Sequence, residues 1–178
     1  MTTQTAAPFI TEVRCLNDGP LRTGLESLLE DAVASGASVG YHHPLSPELN
    51  RSFWDAVVER LAGGSHRLLV AQDGNGTVLG SVQLALCTKP NGVHRAEVQK
   101  LLVHTAHRRR GIARQLMAEA EQRARALGRT LLVLDTLEGD FGEPFYKRTG
   151  WRRAGLIPGY TVEADGSFHA TVLFYKNL

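Results

Sequence analysis

Arg108, Arg109, Arg110 and Arg114 lie within seven residues of one another and surround Gly111, at a point where one periodicity gives way to another. Residues 96–103 read as a strand, with Val98 and Leu101 to Val103 supplying the apolar weight. From Gly111 onward Ile112, Leu116, Met117 and Ala120 recur at helical spacing, and the helix can run to Leu127 before Gly128 stops it. The first N–H groups of a helix have no partner inside it, and the helix dipole makes that end partly positive. A glycine there lets the backbone approach a ligand closely, so this turn suits a phosphate or pyrophosphate. It is neither of the usual nucleotide loops, because Gly-x-x-x-x-Gly-Lys-Ser/Thr and Gly-x-Gly-x-x-Gly are both absent.

Two carboxylates stand out nearby in the pattern. Glu97 opens the strand before the basic turn and Asp135 closes the apolar run Leu131 to Leu134. A carboxylate among apolar strand positions is costly unless it is paired or used. Each therefore either pairs with a cation such as Arg95 or Lys100 or serves as a base. His43, His94, His104 and His107 have no further ligands at metal spacing, and no Ser-His-Asp order or nucleophile elbow is visible.

The surrounding elements must position these groups. Residues 9–15 alternate as a first strand, and Asn17-Asp18-Gly19-Pro20 precedes a helix to about Val33 with Leu25, Leu28, Leu29 and Ala32 on one face. Residues 34–41 are small, glycine-containing and irregular, either a connector or a ligand-contacting loop. Ser46-Pro47 opens a second helix ended by Gly63-Gly64. A hairpin turns at Asp73 to Gly76 between strands 66–72 and 77–87, and residues 95–103 return as a third antiparallel strand. Leu131 to Leu134 has the form of a strand buried on both faces, parallel to its predecessor through the helical crossover. A short helix at 143–148 and a hairpin of residues 151–154 and 168–175 complete the chain.

The 178 residues, 43% hydrophobic and 21% charged, fit one globular domain spanning 1–178. A net charge of +2 argues for neither nucleic acid nor membrane as a partner. Cys15 and Cys87 are too few for a disulfide framework and sit among apolar residues, so both are expected as core thiols. Residues 1–8 lack the charged and apolar regions of a signal peptide, and no apolar run reaches 18 residues. A cytoplasmic location is the expectation.

Arg108-Arg109-Arg110-Gly111-Ile112-Ala113 fits Arg/Gln-x-x-Gly-x-Gly/Ala and resembles the acetyl-CoA signature of the GNAT N-acetyltransferases. The resemblance implies an α/β (α+β) fold, with a single mixed, largely antiparallel sheet, a central parallel strand pair and flanking helices. It implies that the amides of Arg108, Arg109, Arg110, Gly111, Ile112 and Ala113 hold the pyrophosphate of acetyl-CoA. The strand edge at Leu101, Leu102 and Val103 would then pair with the pantetheine. Pro144 to Trp151 resembles the family segment whose tyrosine faces the sulfur, so Tyr146 would protonate the departing thiolate. A protonated amine has no lone pair, so Glu97 or Asp135 would serve as its base. An asparagine common in the family before this tyrosine is missing, and Glu138-Gly139-Asp140 stands there.

Further stretches, Gly36 to Tyr41, Gln83 to Gly92, Arg95 to Leu101, Leu134 to Thr136 and Leu156 to Tyr160, resemble the tabtoxin-resistance branch of the family. That branch acetylates tabtoxinine-β-lactam, and the resemblance puts Glu97 and Asp135 in the acceptor pocket beside Tyr146. The histidines after Tyr41 depart from it, at the rim of that pocket. The expectation is an acetyl-CoA-dependent N-acetyltransferase acting on a small amine, such as an amino-acid-like toxin, without a metal and as a monomer or homodimer. A peptide or protein acceptor, and a non-catalytic acetyl-CoA sensor, are the alternatives.

Overall fold

A computed structural model describes residues 8–178. All seven strands form one mixed sheet in the order β1-β2-β3-β4-β5-β7-β6. The strands are β1 (Phe9–Val13), β2 (His66–Gln72), β3 (Val78–Leu86), β4 (Arg95–Val103), β5 (Leu131–Leu137), β6 (Arg152–Val162) and β7 (Phe168–Asn177). The helices are α1 (Pro20–Ala34), α2 (Pro47–Ala62), α3 (Ile112–Ala126) and α4 (Gly142–Arg148). Among the described residues only β4 and β5 run parallel, joined by α3 as the crossover.

The helices begin where their sequences direct. Ser46 caps α2 by accepting from the Leu49 N–H at 3.2 Å, with Pro47 in the first turn. Helix α1 starts at Pro20 without a side-chain cap. Two apolar clusters bury the two faces of the sheet. One packs α1 and α2 over Leu68, Val70, Val78 and Leu102; the other packs α3 and α4 over Leu84, Ala96, Val98, Leu132, Leu134 and Phe174. In α3 the buried stripe is Ile112, Leu116, Met117, Ala120 and Ala124, the 3.6-residue pattern read from the sequence.

Two expectations need correction. Strand β6 does not stop at Ala154 but continues to Val162, crossing irregularities at 153–155 and 157–161. Pro158 lacks an N–H and is tolerated because β6 lies at the sheet's edge, inside the second irregularity. The cysteines are not core thiols. Cys15 is exposed just beyond β1, and Cys87 is half-buried just beyond β3. Apolar neighbours in sequence lost their meaning there because both residues fall after a strand end.

Gly80 on β3 lets α3 descend onto the sheet. A β-carbon there would lie 2.6 Å from the Leu102 carbonyl oxygen and 3.2 Å from a Leu116 methyl. The carbonyl belongs to the neighbouring strand and cannot move alone. Gly80→Ala is expected to destabilise the protein by about 2 kcal/mol, the usual cost of overpacking, in urea unfolding. An unchanged midpoint would show that the α3–β3 contact is looser than described.

Candidate functional site

The site starts from an irregularity in β4. In an antiparallel ladder alternate residues turn their backbone groups to the same neighbour. The Arg95 carbonyl accepts from Cys87 N–H, and the His104 N–H donates to the Leu79 carbonyl, so both face the β3 side. These two residues are an odd number of steps apart, which requires one break in alternation between them. The break is a β-bulge: Lys100 takes φ 51°, and the β3 register shifts between Ser81 and Gln83. Beyond it Leu101 and Val103 turn their backbone groups away from β3.

On that far side β5 has already left. It pairs with β4 only from Arg95–Leu131 to Glu97–Val133, and then the parallel strands part. The edge at Leu101 to Val103 is therefore open to an extended ligand as if to another strand. The Val103 carbonyl is taken by Arg108 Nε at 3.1 Å.

The edge leads to the basic turn. Arg109 has φ 63° and Gly111 φ 82°, so two left-handed residues reverse the chain before α3. The first helical bond is Gln115 N–H to the Gly111 carbonyl. Among the described residues, the backbone N–H groups from Arg109 to Arg114 have no backbone acceptor. Such a row of free N–H groups at a helix start is complementary to a phosphate. Arg109 and Arg110 are exposed beside it. Arg108 is held elsewhere, since its Nη2 donates to Ser35 Oγ at 2.8 Å.

The end of α1 fixes this turn, which the sequence reading missed. Asp31 accepts from Thr105 N–H at 2.8 Å and from Thr105 Oγ1 at 2.6 Å. With Ser35 holding Arg108, two α1-side residues tie down the segment between β4 and α3. No local pattern signals this, because the partners are more than seventy residues apart.

The carboxylates lie on the α1–α2 face of the sheet. Glu97 pairs with Val133, and Asp135 is two residues further along the same face of β5. Asp135 accepts from Thr171 Oγ1 at 2.8 Å across on β7. Glu97 is half-buried and Asp135 exposed. Lys100, half-buried at the bulge, donates to the Val39 carbonyl at 2.6 Å and feels both carboxylates. That hydrogen bond draws residues 36–41 over the bulge, while His42 Nε2 contacts the Val162 carbonyl at 2.9 Å. Val39 of the 36–41 segment, Glu97 and Asp135, distant in sequence, are thus all brought near Lys100.

Tyr146 belongs to the other face. It is 9% exposed and packs against Phe145, Trp151 and Phe174. Helix α4 can carry it close to β5 because residue 142 is glycine: a β-carbon there would lie 2.6 Å from Thr136 Oγ1. Burial, reinforced by the charges of Asp135 and Asp140, pushes the Tyr146 phenol up to about 12. Asp135 is therefore within electrostatic reach of both Tyr146 and Lys100. Where the family asparagine was missing, Glu138 pairs with Arg153 at 3.7 Å, and Glu143 accepts from the Gly139 N–H at 2.8 Å. Among the described residues no three His, Cys, Asp or Glu side chains form a metal-binding group, and no helix is long and apolar enough to cross a membrane.

The fold has counterparts among known proteins. A model described as "Acetyltransferase (GNAT) family" matches residues 27–151, and the chain belongs to that family. It is similar to "Probable N-acetyltransferase 14" of Bos taurus, 36% identical over 112 residues that cover 60% of this chain and 48% of that protein. The chain thus spans about half the length of that curated relative. An N-acetyltransferase of Azospirillum brasilense, itself uncharacterized, is 29% identical over 141 residues, 76% of this chain and 82% of that one. Among solved structures, an N-acetyltransferase from Staphylococcus aureus Mu50 superposes with a TM-score of 0.78 at 17% identity, covering 97% of this chain and 99% of that one. A structure from Salmonella typhimurium with its cofactor acetyl-CoA gives 0.76 at 18% identity, covering 97% and 95%. At these identities the structural likeness establishes the fold.

The Tyr146 environment has a measurable consequence. An ordinary tyrosine ionises near pH 10. A folded-state value of about 12 means that the native protein keeps this proton more tightly than the unfolded chain. The associated stability is complete below about pH 10 and is lost as pH rises toward 12. In ultraviolet difference titration two of the four tyrosines should ionise late, Tyr41 because burial raises it and Tyr146 last, and Tyr146→Phe should remove the phase near pH 12. Ionisation of Tyr146 at the ordinary value would contradict the packing described for α4.

Proposed function

We propose that the chain is an acetyl-CoA-dependent N-acetyltransferase that acetylates the amine of a small molecule. What carries this reading is the row of free N–H groups at 109–114, which follows the stretch of β4 that β5 leaves unpaired; Asp135 on β5, within electrostatic reach of Tyr146, supports it. The residues fit the group on chemical grounds. Six consecutive N–H donors and two exposed arginines match a pyrophosphate, and a bare strand edge matches the amide groups of a pantetheine arm. Family membership and the Salmonella structure with its cofactor acetyl-CoA support the same assignment.

Acetyl-CoA supplies the acetyl group as a thioester. Arg109 to Ala113 hold its pyrophosphate through their amides, and Leu101 to Val103 align the pantetheine; Leu102 contributes packing beneath, since it is buried. Arg108 acts through Val103 and Ser35, shaping the turn rather than gripping phosphate. Glu97 or Asp135 removes the proton that keeps the acceptor amine cationic. The buried phenol of Tyr146 retains its proton at neutral pH and can give it to the sulfur as the thiolate leaves.

The acceptor is a small, amino-acid-like amine in this reading. The loops resembling the tabtoxin-resistance branch, Gly36 to Tyr41 and Arg95 to Leu101 with Asp135, are those that meet at the cleft, and their meeting supports a related acceptor. The relatives named above carry no toxin-resistance description, so the toxin itself stands on the loops alone.

The test is release of CoA thiol from acetyl-CoA across a panel of small amines including tabtoxinine-β-lactam, with a lysine-containing peptide alongside. Turnover of a small amine is expected, with kcat lowered about 100-fold in Tyr146→Phe and CoA affinity little changed. Gly111→Val, forced into the left-handed region, should instead weaken CoA binding in calorimetry. Peptide turnover alone would replace the acceptor class. CoA binding with no turnover on any amine would make the chain a sensor.

A further inference from the structure

Lys100 is a cation with unused capacity in the acceptor cleft. Its ammonium carries three N–H groups, and one is spent on the Val39 carbonyl. Among the described residues it closes no ion pair with any carboxylate. Burial lowers its proton affinity, and Asp135 and Glu97 act against that, while Arg60 of α2 adds a like charge. Charges of both signs therefore meet here: Lys100 and Arg60 make a cationic pole, Glu97 and Asp135 an anionic one. The carboxylates are close enough to Lys100 to be felt and too far to pair with it.

A half-buried charge left without a partner is costly, and a ligand of opposite polarity relieves that cost. A simple amine would satisfy only the carboxylate pole. A molecule that carries an amine and a carboxylate a few bonds apart would satisfy both. Gly40 lies beside the ammonium, where a β-carbon would be in ordinary contact at 3.7 Å from Lys100 Nζ.

We propose that Lys100 is a specificity-determining residue, which binds the carboxylate of an amino-acid acceptor while Glu97 and Asp135 face its amine. This rests on the acetyltransferase reading and narrows its substrate to zwitterionic amines. The competing role for Lys100 is that of a strut, which only holds residues 36–41 through Val39.

The test compares amino acids with the amines that remain when the carboxylate is removed: alanine with ethylamine, leucine with isoamylamine, lysine with cadaverine. For any pair turned over, kcat/KM should favour the amino acid roughly ten- to hundredfold, the worth of a hydrogen bond to a charged group. Lys100→Met should abolish that preference mainly through KM on the amino acid, with a much smaller loss on the plain amine. Lys100→Arg should restore part of it. An equal loss on both members of a pair would make Lys100 a strut, and a wild-type preference for the plain amine would overturn the proposal. If no pair is turned over, the acetyltransferase reading is what fails for these acceptors. Thermal shifts of the CoA-saturated protein then decide on Lys100. Stabilisation by an amino acid but not its amine, lost in Lys100→Met, supports the proposal, and no difference rejects it.

Discussion

The β-bulge at Lys100 is the constraint on which the rest depends. A regular β4 would keep its alternation and present Leu101 and Val103 to β3, in the ordinary ladder. The single break at Lys100 turns them outward just after β5 has parted from β4. A sheet interior is thereby converted into a strand edge in the middle of the molecule. Edges are normally a hazard, because they invite pairing with another chain. Here α3 and the loop at 36–41 surround the opening, so a slender ligand arm can reach it.

The opening is kept rigid from both faces. Gly80 allows α3 to seat against β3 and β4, and Gly142 allows α4 to bring Tyr146 down beside β5. On the opposite face Asp31 and Ser35, at the end of α1, grip the turn that precedes α3. The residues that follow Ser35 then run to Val39, whose carbonyl holds Lys100. One stretch of chain is thus attached at one end to the basic turn and at the other to the bulge at Lys100. Preorganisation of this kind lowers the ordering cost on binding.

Much of this was legible in the sequence, and the parts that were not share a cause. The helical stripe of α3, the Ser46-Pro47 helix start, the hairpin at Asp73 and the basic turn at 108–111 are local patterns, and local physics produces them. That Glu97 and Asp135 share one face was not legible, because it depends on the register that sets Glu97 opposite Val133. Lys100 was visible only as a possible partner for a carboxylate, because a bulge has no reliable signature when its left-handed residue is not glycine. The grip of Asp31 on Thr105 and of Ser35 on Arg108 spans a large sequence distance, so no local pattern reveals it. The burial of the cysteines was misjudged, and β6 was cut short, because apolar neighbours and a Pro-Gly pair say little about where an edge strand ends.

The central claim is that the open β4 edge and the free N–H row together form the cofactor site. Amide hydrogen exchange with and without acetyl-CoA tests it most directly, since the groups at issue are backbone N–H groups. The account predicts new protection at Leu101 and Val103 and from Arg109 to Arg114, with the β6–β7 hairpin tip around Asp165 unchanged. Saturation by acetyl-CoA with no protection at those amides would contradict it.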